Sequence, residues 1–327
     1  MNGDTYLVTG ALGCIGSWIL RALVKDGAKV IAADIDIKPL RPSLIMTTAD
    51  LANVRFIQLD ITEPGSVQAA IEQGHVTHVI HMAGLQIPFC RSNPSLGARV
   101  NVEGTANVFE AVRAAGSQIK GMAFASSVAV FGPPGYYTAG PLSDAAPSYP
   151  QTLYGVYKQA DESMARVYWR DWQIPSVALR PYAAFGVGRD QGLTSDLTKA
   201  ILAAAAGKPY HIRFGGVVAL QYNEDLARMF VACVRSGHQG AAALNIRNDV
   251  TSVREFVEIV KREAADAAIT YERGKQLPFP AELIDSGLRQ LLGQVPHTPL
   301  VAAIRQTMSA FRTLLAQERI DLAQLAA

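Results

Sequence analysis

Two tyrosines and a lysine stand close together in TLYGVYKQA, residues 152–160. On a helix, side chains four residues apart meet on one face. There an ammonium can stabilise a phenolate. A free phenol ionises near pH ~10, so taking a proton near neutrality needs a shift of ~3 units, or ~4 kcal/mol. A neighbouring cation supplies part of that. The Y-x-x-x-K spacing occurs twice, as Tyr154/Lys158 and Tyr271/Lys275. The second follows the strand-like AAIT and contains Gly274, so it reads as a strand end and turn. The first lies in a stretch that reads as a helix entered through Ser148–Pro150 and running to about Trp172. Within it Leu153, Val156, Tyr157, Ala160, Met164 and Val167 form an apolar stripe at ~100° per residue. Packing accounts for Tyr157 and leaves Tyr154 as the partner of Lys158. Ser126 or Ser127 in FASSVAVFG, at the end of an apolar strand, offers a hydroxyl to hold a reacting oxygen.

These groups need a scaffold. Apolar runs (TYLVT, KVIAAD, VRFIQL, THVIHMA, IKGMAFAS, SVALRP) alternate with helix-like stretches up to about residue 181. That alternation predicts an α/β fold with a parallel sheet covered on both faces. VTGALGCIGSWIL puts Gly10, Gly13 and Gly16 between the first strand and the first helix. Missing side chains there let the backbone approach a pyrophosphate at a helix N-terminus. Asp34 closes the second strand 18 residues after Gly16, where a carboxylate accepts from a ribose diol and repels a 2′-phosphate. The cofactor expected is therefore NAD. Asp60, at the end of FIQLD, reads either as an acceptor for the adenine amino group or as a turn residue.

After about Tyr182 helical stretches dominate. We read a Rossmann-type, doubly wound NAD-binding domain from residues 1–181 plus about 219–247. A smaller, partly interleaved substrate-binding domain takes about 182–218 and 248–327. The Gly/Pro-rich 132–150 reads as a long loop. Composition narrows the partners: at net charge +2 with dispersed lysines and arginines, no nucleic acid is expected. The longest small-apolar run, AILAAAAG, is too short for a bilayer, so no membrane is expected. Cys14, Cys90 and Cys233 are sparse, and the opening MNGDTYLVTG lacks the pattern of a signal peptide. These features predict a soluble cytoplasmic protein. No His, Cys or Asp cluster has metal spacing, His81 reads as stabilising its turn, and Cys14 as a small packing residue.

Taken together, TGALGCIG (9–16), Asp34, LDI (59–61), HMAG (81–84), NVEGTANVFEA (101–111), SSVAVFG (126–132), YGVYK (154–158) and LRPYAAFG (179–186) resemble the extended short-chain dehydrogenase/reductases, the NAD-dependent epimerase/dehydratase family. The resemblance covers roughly residues 5–190 and continues more weakly through LQYNEDLARMFVACV (220–234). It implies Tyr154 as catalytic base/acid, Lys158 as its partner and Ser127 as the serine on the reacting oxygen. It implies Gly10, Gly13, Cys14, Ile15 and Gly16 around the pyrophosphate, Asp34 on the ribose and Asp60–Ile61 at the adenine. Ala83, Gly84, Asn101 and Lys158 line the cofactor cleft, with Tyr182 close to the nicotinamide. It also implies a homodimer built on the helices near 95–115 and 150–172.

Two departures bear on the substrate. Nucleotide-sugar members usually carry asparagine where this chain has Ala183, and an arginine where it has Val218–Ala219. Both losses remove anchors for a diphosphate. The expected substrate is thus a small free sugar, sugar acid or polyol, oxidised by a net NAD-dependent dehydrogenase. The alternative is a sugar epimerase, on a nucleotide-sugar or a free sugar, with tightly bound NAD. Gln86, Ser126 and Arg189 are candidate substrate groups. Arg189, near Thr194 and Ser195, can receive a carboxylate or phosphate, or lie solvated at the surface.

Overall fold

The computed structural model describes residues 3–138 and 140–325. The first strand, β1 (Thr5–Thr9), is buried along its whole length and feeds helix α1 (Cys14–Lys25) through the glycine loop. β2 (Lys29–Asp34), the short helices α2 (Leu40–Ile45) and α3 (Thr48–Leu51), β3 (Val54–Gln58) and α4 (Ser66–Gly74) follow. Next come β4 (His78–His81), α5 (Ile87–Ser92), α6 (Pro94–Ala98), α7 (Gly104–Ala115), β5 (Gly121–Ala125), α8 (Leu153–Trp172) and β6 (Ser176–Arg180). These strands and the later β10 (Ala241–Asn245) form one seven-stranded sheet, ordered β10-β6-β5-β4-β1-β2-β3, with every pairing parallel. Both faces are covered, as near-continuous apolar strands require. α4, α7 and α8 contribute to the core on one face, where Ile71, Phe109 and Tyr168 pack on β4 and β5. On the other, α1 packs with α10 (Asn223–Arg235).

The strand order reverses between β1 and β4, and that switch point opens a crevice at the carboxyl ends of the strands. The remaining elements build over this edge. β7 (Ala183–Phe185), β9 (Val217–Tyr222) and β11 (Asp249–Ser252) make a three-stranded sheet, and β8 (Tyr210–Ile212) pairs with β12 (Ile269–Tyr271). α9 (Asp196–Ala205), α11 (Val253–Glu263), α12 (Ser286–Leu292) and α13 (Leu300–Ala316) pack around them. The AILAAAA run falls in and just after α9, which is buried from Asp196 to Ala204. The chain returns to the large sheet with α10, because Val217–Tyr222 pairs with β7 and β11.

The described residues of 132–150 form the long loop, and among them there is only a short 3-10 turn at Pro134–Tyr136 and a single bridge from Leu142 to Leu283. Asp144 pins it, accepting from the Asn245 backbone at 2.6 Å. The stretch near 95–115 is helical throughout, but its turn at Arg99–Glu103 is a π-helix between α6 and α7. Such widened turns re-aim side chains and gather at functional sites. α8 starts at Leu153, capped by Thr152, whose hydroxyl accepts from the Gly155 N–H at 3.0 Å. The entry thus lies two residues beyond Ser148–Pro150. Thr152 was the better signal, since a side-chain oxygen must satisfy a free N–H of the first turn. Among the described residues no helix is long and apolar enough to cross a membrane.

Candidate active site

A cleft along the carboxyl edge of the large sheet has two halves that share Gly10, Gly13, Met82 and Gly84. In the first half the glycine loop comes close to its neighbours. A Cβ on Gly10, which sits at φ +63°, would lie 2.5 Å from the Ala83 nitrogen. One on Gly16 would lie 2.4 Å from the Gly10 carbonyl oxygen. Asp34 lines this half and accepts from the Leu12 N–H at 2.9 Å and the Ile35 N–H at 2.8 Å. Burial pushes its carboxyl up, against those two hydrogen bonds and the charge of Arg41. Asp60, Ile61 and Ala83 also line it. Asp60 Oδ1 caps its own turn, accepting from the Thr62 N–H and hydroxyl, both at 2.8 Å. This cradle, a bare backbone loop opening onto a helix N-terminus with a carboxylate at the next strand end, fits a dinucleotide.

The second half is lined by Cys14, Ile15, Gly84, Gln86, Ser126, Ser127, Tyr154, Lys158, Tyr182 and Arg189. Tyr154 is half-buried, and among the described residues its hydroxyl has no protein partner. The Lys158 ammonium lies 6.0 Å from the centre of its ring. Lys158 is itself buried and pairs with buried Asp161 at 3.2 Å, Asp161 standing three residues on along α8. Burial works against the Lys158 charge, but Asp161 and Tyr154 outweigh it and hold its pKa above the ordinary lysine value. Burial pushes Asp161 up to about 6 despite that ammonium. The two tendencies pull apart, yet above about pH 6 both groups carry charge. Ser127 caps a short turn, its oxygen accepting from the Ala129 N–H at 3.1 Å, so its own O–H is free to donate into the cavity.

Other candidates have protein partners. Ser126 donates to Glu162 at 2.5 Å, and Glu162 is held by a two-pronged contact from Arg180. Tyr182 borders the cavity with its ring, while its hydroxyl donates to the Phe279 carbonyl. Asn101 sits in the π-turn, fully buried behind the cleft wall. Its Oδ1 accepts from the Leu85 N–H at 2.7 Å and its Nδ2 donates to the Leu85 carbonyl at 3.0 Å, fixing the backbone beside Gly84. Cys14 Sγ accepts from Asn223 at 3.1 Å, and burial raises its thiol to about 11, so it remains protonated. His81 lies between the Thr9 and Thr105 hydroxyls, at 2.7 and 3.1 Å. Burial, then the charge of Lys158, brings it down to about 3, so it is neutral near pH 7.

Several groups in or behind the cleft wall escape a reading of the sequence. Asp161 is a polar residue on a helix until burial shows it facing Lys158. Arg41 lines the cofactor half and joins Asp190 across 149 positions, with three contacts of 2.9–3.2 Å. Phe279 comes from the far C-terminal region to wall the second half. No local pattern marks such long-range partners.

Comparison with known proteins agrees with this geometry. Residues 6–259 match the family described as NAD dependent epimerase/dehydratase family. UDP-glucuronate 4-epimerase 4 of Arabidopsis thaliana is 26% identical, over 93% of this chain and 74% of its own. In structure, a partial consensus L-threonine 3-dehydrogenase superposes with a TM-score of 0.82 at 22% identity, covering 95% of this chain and 100% of its own. The UDP-glucose 4-epimerase of Thermus thermophilus, solved in complex with NAD, gives 0.78 at 23%, covering 94% and 99%. These two likenesses establish the shared fold. The family match spans both halves of the cleft, and the chain belongs to the NAD-dependent epimerase/dehydratase family of extended short-chain dehydrogenase/reductase enzymes.

Proposed function

We propose that this enzyme oxidises a hydroxyl of a small sugar, sugar acid or polyol, with Tyr154 as base. The observation that carries the reading is the unengaged Tyr154 hydroxyl in a cavity shared with Ser127 and the buried Lys158. Bound NAD supplies the hydride acceptor. Ser127 donates to the reacting oxygen and orients it. Tyr154 takes the hydroxyl proton, its phenolate favoured by the Lys158 ammonium. Gly10, Gly13, Cys14, Ile15, Gly16, Asp34, Asp60, Ile61, Ala83, Gly84 and Tyr182 hold the cofactor, with Asn101 supporting the wall from behind.

A net dehydrogenase is favoured over an epimerase by what lies at the diphosphate positions. Ala183, Val218 and Ala219 are all fully buried in the small sheet and carry no polar group. A sugar that must turn over between oxidation and reduction lacks its tether there. The epimerase reading keeps support from UDP-glucuronate 4-epimerase, the relative at 26% identity. Incubation with free sugars, aldonates, uronates and polyols separates the two. NADH accumulation is expected, whereas isomer formation without NADH would establish the epimerase. Tyr154→Phe should lower turnover by about 10²–10⁴-fold with NAD binding retained; near-full activity in this variant would remove the assignment of the base.

The same reading assigns NAD binding to residues 1–181 with about 219–247, and substrate binding to about 182–218 and 248–327. We further propose a cytoplasmic homodimer: the three cysteines are unpaired, and Leu153, Val156 and Val167 are exposed along α8.

A further inference from the structure

The catalytic half of the cleft is one-sided in charge. Among its lining residues only Lys158 and Arg189 carry formal charge, and none is Asp or Glu. Lys158 is already matched by Asp161. Arg189 has no carboxylate within ion-pair distance among the described residues, since the adjacent Asp190 is taken by Arg41. What Arg189 does have are neutral neighbours. Its Nη2 donates to the Thr194 hydroxyl at 3.2 Å, and its Nη1 reaches Gln86 Oε1 at 3.5 Å. Its Nε is shielded from water and has no hydrogen-bond partner. That Nε has lost hydration without gaining an acceptor, which is costly unless a ligand completes it.

The loop around it leaves room for this group. Gly192 sits at φ +98°, and a Cβ there would lie 2.1 Å from Gln86 Oε1 and 2.9 Å from Arg189 Nη2. Even a methyl group at 192 would collide with the Arg189–Gln86 contact. Nε and Nη2 share one edge of the guanidinium, the edge that grips a carboxylate side-on with two parallel bonds. Thr194 stands beside Nη2, which has a second N–H. Its oxygen accepts from Nη2, so its own O–H is available as a third donor.

We propose that Arg189, Thr194 and Gln86 form a subsite for a substrate carboxylate, so that the physiological substrate is a hydroxylated acid such as an aldonate or uronate. This rests on the oxidoreductase reading above and narrows it. One cation with two neutral hydrogen-bonding groups matches a single negative charge. A phosphoryl or diphosphoryl group would need a second cation, and Lys158 is committed to Asp161 beside the phenol. Ile87, Leu193 and Phe279 supply apolar walls for a short carbon skeleton.

The test uses matched pairs, gluconate against sorbitol and galacturonate against galactose, read two ways on the purified enzyme. NADH formation gives kcat/KM, and calorimetry on the NAD-loaded protein gives binding. The acid of at least one pair is expected to exceed its neutral partner by ten-fold or more in kcat/KM or affinity. Arg189→Met should bring that ratio close to one with NAD affinity unchanged, and Gly192→Ala should raise KM for the acid more than it lowers kcat. Equal handling of acid and neutral partners, or no binding of either acid, overturns the subsite. So does an Arg189→Met variant that weakens NAD instead, which would give the guanidinium to the cofactor. Failure of the oxidoreductase reading looks different: the acids bind in an Arg189-dependent way, yet no NADH forms with any substrate.

Discussion

His81 and Asp161 flank Lys158 as buried titratable groups, and each gives the protein a pH signature. His81 is held near a pKa of about 3, below its ordinary value of 6.5. Between those values the unfolded chain binds a proton that the native state refuses. The histidine's contribution is therefore present above about pH 6.5 and is lost progressively as pH falls toward 3. A one-proton difference corresponds to a slope of about 1.4 kcal/mol per pH unit. Urea unfolding of wild type and His81→Asn from pH 7 to 4.5 should show the wild-type advantage shrinking with acid; parallel curves would mean His81 is charged in the fold. Asp161 acts on activity instead. Ionised above about pH 6, it offsets part of the field that Lys158 exerts on Tyr154. Cys90, protonated because burial raises its pKa, and neutral His81 add no charge, while Glu162 is matched by Arg180. Removing the carboxylate leaves the Lys158 ammonium uncompensated beside the Tyr154 ring. The acid limb of kcat/KM in Asp161→Asn should move to lower pH by about one unit. An unmoved limb, with only the rate reduced, would reduce Asp161 to packing. Tyr154 and Lys158 were legible in the sequence because helical period alone sets their relation. Asp161 was not, because its meaning depends on being buried.

α8 carries three functions on different faces, and they keep their relation only while the helix is anchored. Glu162 and Arg180 are both nearly inaccessible and make two contacts of 2.8 Å, tying α8 to β6. Arg180 also donates to the Asp144 carbonyl and to Asn245, so helix, strand, long loop and β10 meet at one guanidinium. Breaking such a pair from one side leaves a buried charge uncompensated, at a cost of about 3–5 kcal/mol. Glu162→Ala should show that loss by urea denaturation and should loosen Ser126, whose hydroxyl has no other acceptor among the described residues. A loss below about 1 kcal/mol would mean that Asp144 and Asn245 alone satisfy Arg180. The sequence disclosed α8, the glycine loop and the alternating parallel strands, because periodicity and glycine spacing are local properties. It did not disclose the π-turn that aims Asn101 at Leu85, or the Arg41–Asp190 link across the cleft. Those depend on which loops the strand order brings together.

The outer surface of α8 carries the contact of the proposed homodimer. Leu153, Val156 and Val167 are 43, 44 and 39% exposed, and at ~100° per residue they fall within about 60° of one another. Ala160 and Met164 continue the stripe, partly covered. Tyr157 instead turns inward and donates to the Pro94 carbonyl at 2.9 Å, joining α8 to α6, where Leu96 is 45% exposed. Single exposed aliphatic residues are ordinary, but an aligned set along one helix marks a surface that gains from being covered. A second copy of the same stripe, related by a two-fold axis, is self-complementary and covers it without any other partner. Analytical ultracentrifugation of the NAD-loaded enzyme should give twice the 35.1 kDa chain mass. Val156→Asp with Val167→Asp should bring that to one chain mass with NAD binding intact, since neither residue lines the cleft. Because Leu153 and Val156 flank Tyr154 on the first turn of α8, the monomeric form should also lose turnover more than it loses NAD affinity. A wild-type enzyme sedimenting as a single chain at micromolar concentration would leave this stripe without the role proposed for it.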